Sequence, residues 1–447
     1  MKTPICDFVN KYVNGENVRM HMPGHKGKDY PFDITEIDGA DALYVADGII
    51  KESEENASSL FGSYKTLYSC EGSSLCIKTM LHLAKAYGQS QGRNYVIAGR
   101  NAHTSFISAS ILADFDIKWI YPKNDSSYIS CEINPNELDS MLQNGKELPF
   151  AVFVTSPDYL GNVSDIEGIS RVCKKYGVIL IVDNAHGSYL KFLEKSLHPI
   201  DLGADMCCDS AHKTLPVLTG GAYLHISKNA PKYFGEFAKS VMCIYGSTSP
   251  SYLILQSLDK CNKYLDGEYK HNLLSVVSKV EDVKKCLTEC GYSFIGNEKT
   301  KITVDTKSYG YTGTDFAKIL ISQKIIPEFY DKDFLVLMVS SETTTEELHY
   351  LYKVLKNVPK KESITKTHFK YDFPNVATST RNAYFSEKIL VSVDNSLNQI
   401  YADTTVSCPP AISIAVCGEK INQSIIDLFK YYGVDIIYVI KNECCRN

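Results

Sequence analysis

The chain lacks several features that would assign a function at once. It has fifteen cysteines but no CxxC pair, and no Cys/His spacing matches a zinc site. Cys286 and Cys290 sit four apart on an expected helix, yet two further ligands are missing. The thiols therefore read as reduced, small hydrophobes of a cytoplasmic protein, and no metal is expected. Net charge is −5 and no dense Lys/Arg cluster occurs, so nothing points to nucleic acid. The longest apolar runs, such as GVILIV and FLVLMV, are too short to span a bilayer. MKTPICDFVNKY has no apolar h-region, so no signal peptide is expected. There is no internal repeat and no low-complexity segment.

What is present is the composition of a globular enzyme: 44% hydrophobic and 22% charged residues over 447 positions, enough for two or three domains. From TLYSC onward, short apolar runs alternate with helical patterns. The strands are RNYVIAG, DIKWIYP, PFAVFVT, GVILIVD, ADMCCD and GGAYLHI, with helices such as ELDSMLQNG and DIEGISRVCKKYG between several of them. Strands of nearly continuous apolar content alternating with helices predict an α/β fold with a mainly parallel sheet covered on both faces. DGIIKESEENASSLFG reads as an amphipathic helix closed by Gly62. HMPGHKG, with Pro23 and Gly24 between His21 and His25, reads as a loop rather than a helical metal pair. The expected organisation is an N-terminal arm at 1–40, a major domain at 41–290 and smaller C-terminal α/β units at 291–447. A charged, Pro-broken linker falls near 357–367.

In parallel sheets ligands sit beyond the carboxyl ends of the strands. Polar clusters fall at those ends: Gly72-Ser73-Ser74, His103, Thr155 to Pro157, Asp183 to His186, and Ser210 to Lys213. Lys213 lies in a turn between two apolar runs, in CCDSAHKTLPVLTGGAYLH. A lysine there is either an ordinary strand-end residue or a Schiff-base amine for pyridoxal phosphate (PLP). Gly-Ser-Ser at a helix start is either a plain N-cap or a phosphate site. Asp183 ends an apolar strand, where a buried acid needs a cation; the pyridine nitrogen of PLP would supply one. His103 is the candidate to stack on the ring; His186 could stack instead or touch the carboxylate. Ser73, Ser74, Ser210 and His212 are phosphate candidates.

With these segments in view, the chain resembles the Orn/Lys/Arg decarboxylase family, fold type I PLP enzymes acting on basic amino acids. The resemblance rests on HMPGHKG, DGIIKESEENASSLFG, the EGSS turn, RNAHTS, TSPDYLG, VDNAHG, DSAHKTLPVLTGGAYLH, STSPSYLILQSLD and CPPAISIAVCGEKI, in the family's order. It implies a fold type I large domain and PLP on Lys213. Asp183 would pair with the ring nitrogen and His103 would stack on the ring. Gly72, Ser73, Ser74, Ala185, His186, Ser210 and His212 would lie around the cofactor. The resemblance is to the family's short form, a homodimer with a shared active site. Thr248 or Ser249 would there reach the partner's phosphate. The implied reaction is α-decarboxylation of lysine, arginine or ornithine, with Lys213 or His212 returning the proton to Cα. Other fold type I reactions (aminotransfer, aldol cleavage, β-elimination) begin from the same linkage, and a degenerate PLP-binding protein is a further alternative. Four positions depart from the family pattern: Cys70-Glu71 before Gly72, Thr104, Asn184 after the aspartate, and the terminal CPPAIS and CGE segments. They bear on substrate identity.

Overall fold

A computed structural model of the chain describes residues 1–123, 126–367, 372, 374–404 and 410–441. The first seven strands are β1 (Lys65–Ser69), β2 (Tyr95–Gly99), β3 (Asp116–Ile120), β4 (Ala151–Thr155), β5 (Ile179–Asp183), β6 (Met206–Asp209) and β7 (Ala222–Ile226). The chain divides into two compact units. The first comprises Met1–Gln91, Ile166–Ser275 and Ser340–Glu342; the second comprises the remainder. No helix among the described residues is long and apolar enough to cross a membrane.

In the first unit the strand order is β1-β7-β6-β5. β5 and β6 run parallel with Asp183 opposite Cys208, and β7 pairs antiparallel with both β6 and β1. β5 to β7 are buried along their whole length, which is why they read as continuous apolar runs rather than alternating ones. The Gly72–Gln89 helix packs on these strands through Leu75, Met80, Leu83 and Ala84. The Ile49–Phe61 helix stops at Gly62, whose φ of 70° supplies the left-handed cap that a β-carbon would disfavour. Its last residue, Phe61, lies 4.4 Å from the His225 ring on β7. His21 and His25 lie outside any helix and bond different partners, Tyr12 and Asp33. A helix at Lys232–Tyr245 precedes the expected polar turn; the sequence reading had not included it.

In the second unit the order is β4-β2-β3, all parallel, with the Thr104–Ala113 helix in the crossover from β2 to β3. A second sheet holds β8 (Phe294–Ile295), β9 (Lys301–Asp305), β10 (Phe329–Tyr330) and β11 (Phe334–Met338), in antiparallel order β10-β11-β9-β8. The run SFIGNEKTKITVDT thus holds two strands, β8 and β9. Ile302, Val304, Leu335 and Leu337 form one core with Phe316 and Leu320 of the Gly313–Ser322 helix and Leu348, Leu351 and Leu355 of the Thr345–Lys356 helix. A β12–β13 ribbon (Lys388–Ser392 and Ile436–Ile440) packs with the Gln423–Tyr431 helix. The Lys–Pro segment near 357–367 carries no regular structure.

The start of β9 carries a buried charge pair. Lys301 and Glu298 have side chains 1% exposed and meet at 2.9 Å, and Lys301 Nζ also donates to the Asp158 carbonyl at 3.2 Å. Removing one member of such a pair strands the other in low dielectric. Lys301→Met should therefore lower stability by about 3–5 kcal/mol, read as a fall in the urea midpoint. Lys301→Met/Glu298→Leu, which removes both charges, should recover most of that loss; an equal loss in the double variant would show that the pair does not act as a unit.

Candidate active site

The first unit gathers most of the sequence-predicted residues at the carboxyl ends of β5 and β6. Asp183 ends β5 and is 2% exposed. Its Oδ1 accepts the Ala185 N–H at 3.1 Å and the Cys208 thiol at 3.7 Å. Burial pushes the Asp183 carboxyl up, while the Lys213 charge, the Ala185 amide and the Cys208 thiol pull it back. Lys213 follows β6 on the short Ala211–Thr214 turn of helix. Its Nζ donates to Nε2 of buried His186 at 3.0 Å. The contact ties the lysine after β6 to the loop after β5.

Ser210 and Ser73 join hydroxyl to hydroxyl at 2.8 Å, so the end of β6 meets the start of the Gly72–Gln89 helix. The N-cap residue, Glu71, makes no side-chain cap bond, and no acid sits in the first turn, where Ser73 and Ser74 lie. Gly72 donates its N–H to the Gly220 carbonyl at 2.7 Å with φ 68°. A β-carbon at Gly72 would meet nothing within 4 Å, so open space lies over the positive end of the helix dipole. His212 bonds the Gly221 carbonyl through Nδ1 at 3.0 Å. That contact puts the ring proton on Nδ1 and the lone pair on Nε2. An amine, a buried carboxylate on the adjacent strand end, and an uncapped helix start lined with hydroxyls are the three groups PLP requires, so these residues fit it.

Thr248 and Ser249 are exposed, on a turn whose Ser247 N–H bonds the Glu71 carboxylate just before that helix. His103 belongs to the second unit. It is the N-cap of the Thr104–Ala113 helix, with Nδ1 bonded to the Ser105 amide at 3.1 Å and the Ser105 hydroxyl at 2.7 Å.

Three arrangements escaped the sequence reading. The Cys208 thiol on Asp183 is one; no spacing signals it. The second is a buried polar cluster. Asn184 Nδ2 donates to Asp209 Oδ1 at 2.7 Å, and Nε2 of both His198 and His225 lies 3.2 Å from Asp209 Oδ2. Burial pushes the Asp209 carboxyl up, but the two imidazoles outweigh it and hold the group well below the usual carboxylate range. The i, i+2 spacing of Cys207 and Asp209 on a strand otherwise apolar was the available signal.

The third lies in the second unit. Arg100, next to the end of β2, pairs with Glu419 at 3.1 Å and donates to the Ser413 and Ile414 carbonyls at 2.8 and 3.0 Å. Thr104 N–H donates to the Ala411 carbonyl at 2.9 Å. The departing terminal segments are thus fixed to the RNAHT loop through Ala411, Ser413, Ile414 and Glu419; Cys408 and Pro409 lie outside the described residues.

Comparison with known proteins gives the family. Two curated relatives are arginine decarboxylases: that of Bacillus anthracis is 26% identical over 94% of this chain and 91% of its own, and that of Halalkalibacterium halodurans is 27% identical over 95% and 92%. The crystal structure of the Francisella novicida lysine decarboxylase LdcF shares the fold, with a TM-score of 0.80 at 17% identity, over 98% of this chain and 81% of that one. The family model for the Orn/Lys/Arg decarboxylase major domain matches residues 3–307, and the chain belongs to that family of PLP-dependent decarboxylases.

Proposed function

We propose that this chain removes the α-carboxylate of lysine, arginine or ornithine, releasing CO2 and the corresponding amine. The observation that carries the reading is the pairing of Lys213 with His186 beside the buried Asp183 carboxylate. Whole-length similarity to arginine decarboxylases makes arginine the first substrate to test.

In this reading Lys213 holds the aldehyde carbon of PLP, Asp183 the pyridine nitrogen, and Ser73, Ser74, Ser210 and the amides of the Gly72–Gln89 helix the phosphate. Gly72 and Ala185 contribute backbone, His103 and His186 imidazole planes. When bound, PLP supplies the sink for the electron pair left as CO2 departs. The chain's own groups handle protons and orientation. His186 Nε2, 3.0 Å from Lys213 Nζ, takes the proton that the ammonium must lose before the amine can act as a nucleophile. Asp183 stays anionic in a dry site only while a positive group faces it, which favours a protonated ring nitrogen. His212, which keeps its Nδ1 proton on the Gly221 carbonyl and can return a proton from Nε2 only after Nε2 has taken one up, and Lys213 in its ammonium form are the two groups that can return a proton to the substrate α-carbon. The proposed assembly is a homodimer, with Thr248 or Ser249 reaching the partner's phosphate site.

Three outcomes follow. Lys213→Ala should lose both the absorbance of lysine-linked PLP and CO2 release; a normal spectrum in that variant would end the assignment. Asp183→Asn should still bind PLP, but kcat should fall by about a hundredfold or more, because a charge facing the reacting system is lost. Near-normal turnover would remove Asp183 from its proposed role. Manometric or labelled-CO2 assays on arginine, lysine and ornithine, with no keto acid added, should show turnover of at least one. Equal amounts of keto acid consumed and amino acid formed would instead identify aminotransfer.

A further inference from the structure

The buried cluster around Asp209 takes no part in the proton steps above. Asn184, His198, Asp209 and His225 are each 0% exposed, so no substrate reaches them. Polar groups persist in such a place when each is bonded and the arrangement has a use. Their place in the fold indicates the use. β5 ends at Asp183 and leads on to His186; β6 ends at Asp209 and leads on to Ser210 and Lys213. The backbone joins the two ends through the Asn184 N–H and the Cys208 carbonyl at 3.0 Å. The side-chain bond from Asn184 Nδ2 to Asp209 Oδ1 adds a second link from the same residue, one position further along β6.

Asp209 cannot swing to meet a displaced partner. Its Oδ2 is shared by imidazoles from two separate segments, His198 after β5 and His225 on β7. His225 is itself fixed by Thr66 Oγ1 at 2.8 Å and by the Phe61 ring. Cys207 Sγ, with atoms of His198 and Asp209, falls within a 4.8 Å group of metal-type donors. Both Asp209 oxygens are already used by Asn184 and the imidazoles, so hydrogen bonds account for the cluster.

We propose that the Asn184–Asp209 bond is a strap across the two strand ends, setting the spacing between Asp183 and Lys213, and that both are positioning residues for decarboxylation. The inference rests on the roles proposed above for Asp183 and Lys213. The bond has a direction that can be reversed. Asp209 can only accept, and Asn184 donates through Nδ2 while its Oδ1 is buried without a partner. In Asn184→Asp/Asp209→Asn the new amide at 209 donates to the new carboxylate at 184. Its carbonyl oxygen still accepts from the imidazoles. Asn184→Asp alone sets two carboxylates against each other.

The test uses full-length, PLP-loaded protein and its best substrate among arginine, lysine and ornithine. Four readouts are taken: kcat, KM, the pH midpoint of the absorbance of lysine-linked PLP, and the thermal midpoint. Asn184→Asp should lower kcat tenfold or more with KM within twofold, and should move the absorbance midpoint. The double variant should return kcat to within threefold of wild type and restore that midpoint. Should Asn184→Asp not fold, Asn184→Ala replaces it, with the same expected losses. Unchanged kcat and absorbance midpoint in the single variant overturn the strap. So does a double variant that melts like wild type but is as slow as the single. Stoichiometric metal in the purified wild type would also overturn it, since Asp209 would then be a ligand. These failures, with a normal wild-type spectrum abolished in Lys213→Ala, reject the strap alone. A wild type without that spectrum rejects the Lys213 role and the strap with it.

Discussion

A carboxylate placed in a dry interior at the end of a strand is the constraint to which the first unit is built. Asp183 is buried, and burial pushes its carboxyl up. The surroundings counter that with a lysine charge, one backbone amide and one thiol. Lys213, which supplies that charge, also meets His186 at 3.0 Å, so the ends of β5 and β6 are joined through the groups around the acid. Ser73, in the first turn of the Gly72–Gln89 helix, meets Ser210 after β6 and brings a third element to the same place.

Much of this was legible in the sequence because it depends on local rules. Apolar runs of strand length end in polar residues, and chain order brings those ends to one edge of a parallel sheet. The Asp183, Ser210 and Lys213 clusters follow from that alone. Gly62 closing its helix was equally local, a matter of one φ angle. What was not legible depends on long-range pairing. His198 and His225 meet one oxygen of Asp209 from segments of no shared pattern, and Cys207 and Cys208 look alike in sequence. Their difference comes from the pleat, since neighbouring strand residues face opposite ways. One thiol turns toward Asp183 and the other toward Asp209. The antiparallel pairing of β7, between β6 and β1, was likewise invisible, because continuous apolar runs carry no sign of strand direction.

The second unit places its own buried carboxylate by another route. Burial raises the Glu419 carboxyl, and Arg100 answers it directly. The two buried acids thus differ in kind. Glu419 meets its cation, Arg100, in a hydrogen bond and ties a loop down, whereas Asp183 is steadied by the Lys213 charge together with the Ala185 amide and the Cys208 thiol.

Arg100 grips Ser413 and Ile414 by their main-chain carbonyls, and Thr104 is bonded to Ala411 in the same way. Those three positions are held without reference to their side chains. Evolution can therefore rewrite the residues of this segment while the guanidinium keeps the backbone in place. A family whose members differ in the basic amino acid they accept gains from such a segment, where chemical identity can drift and the path of the chain cannot.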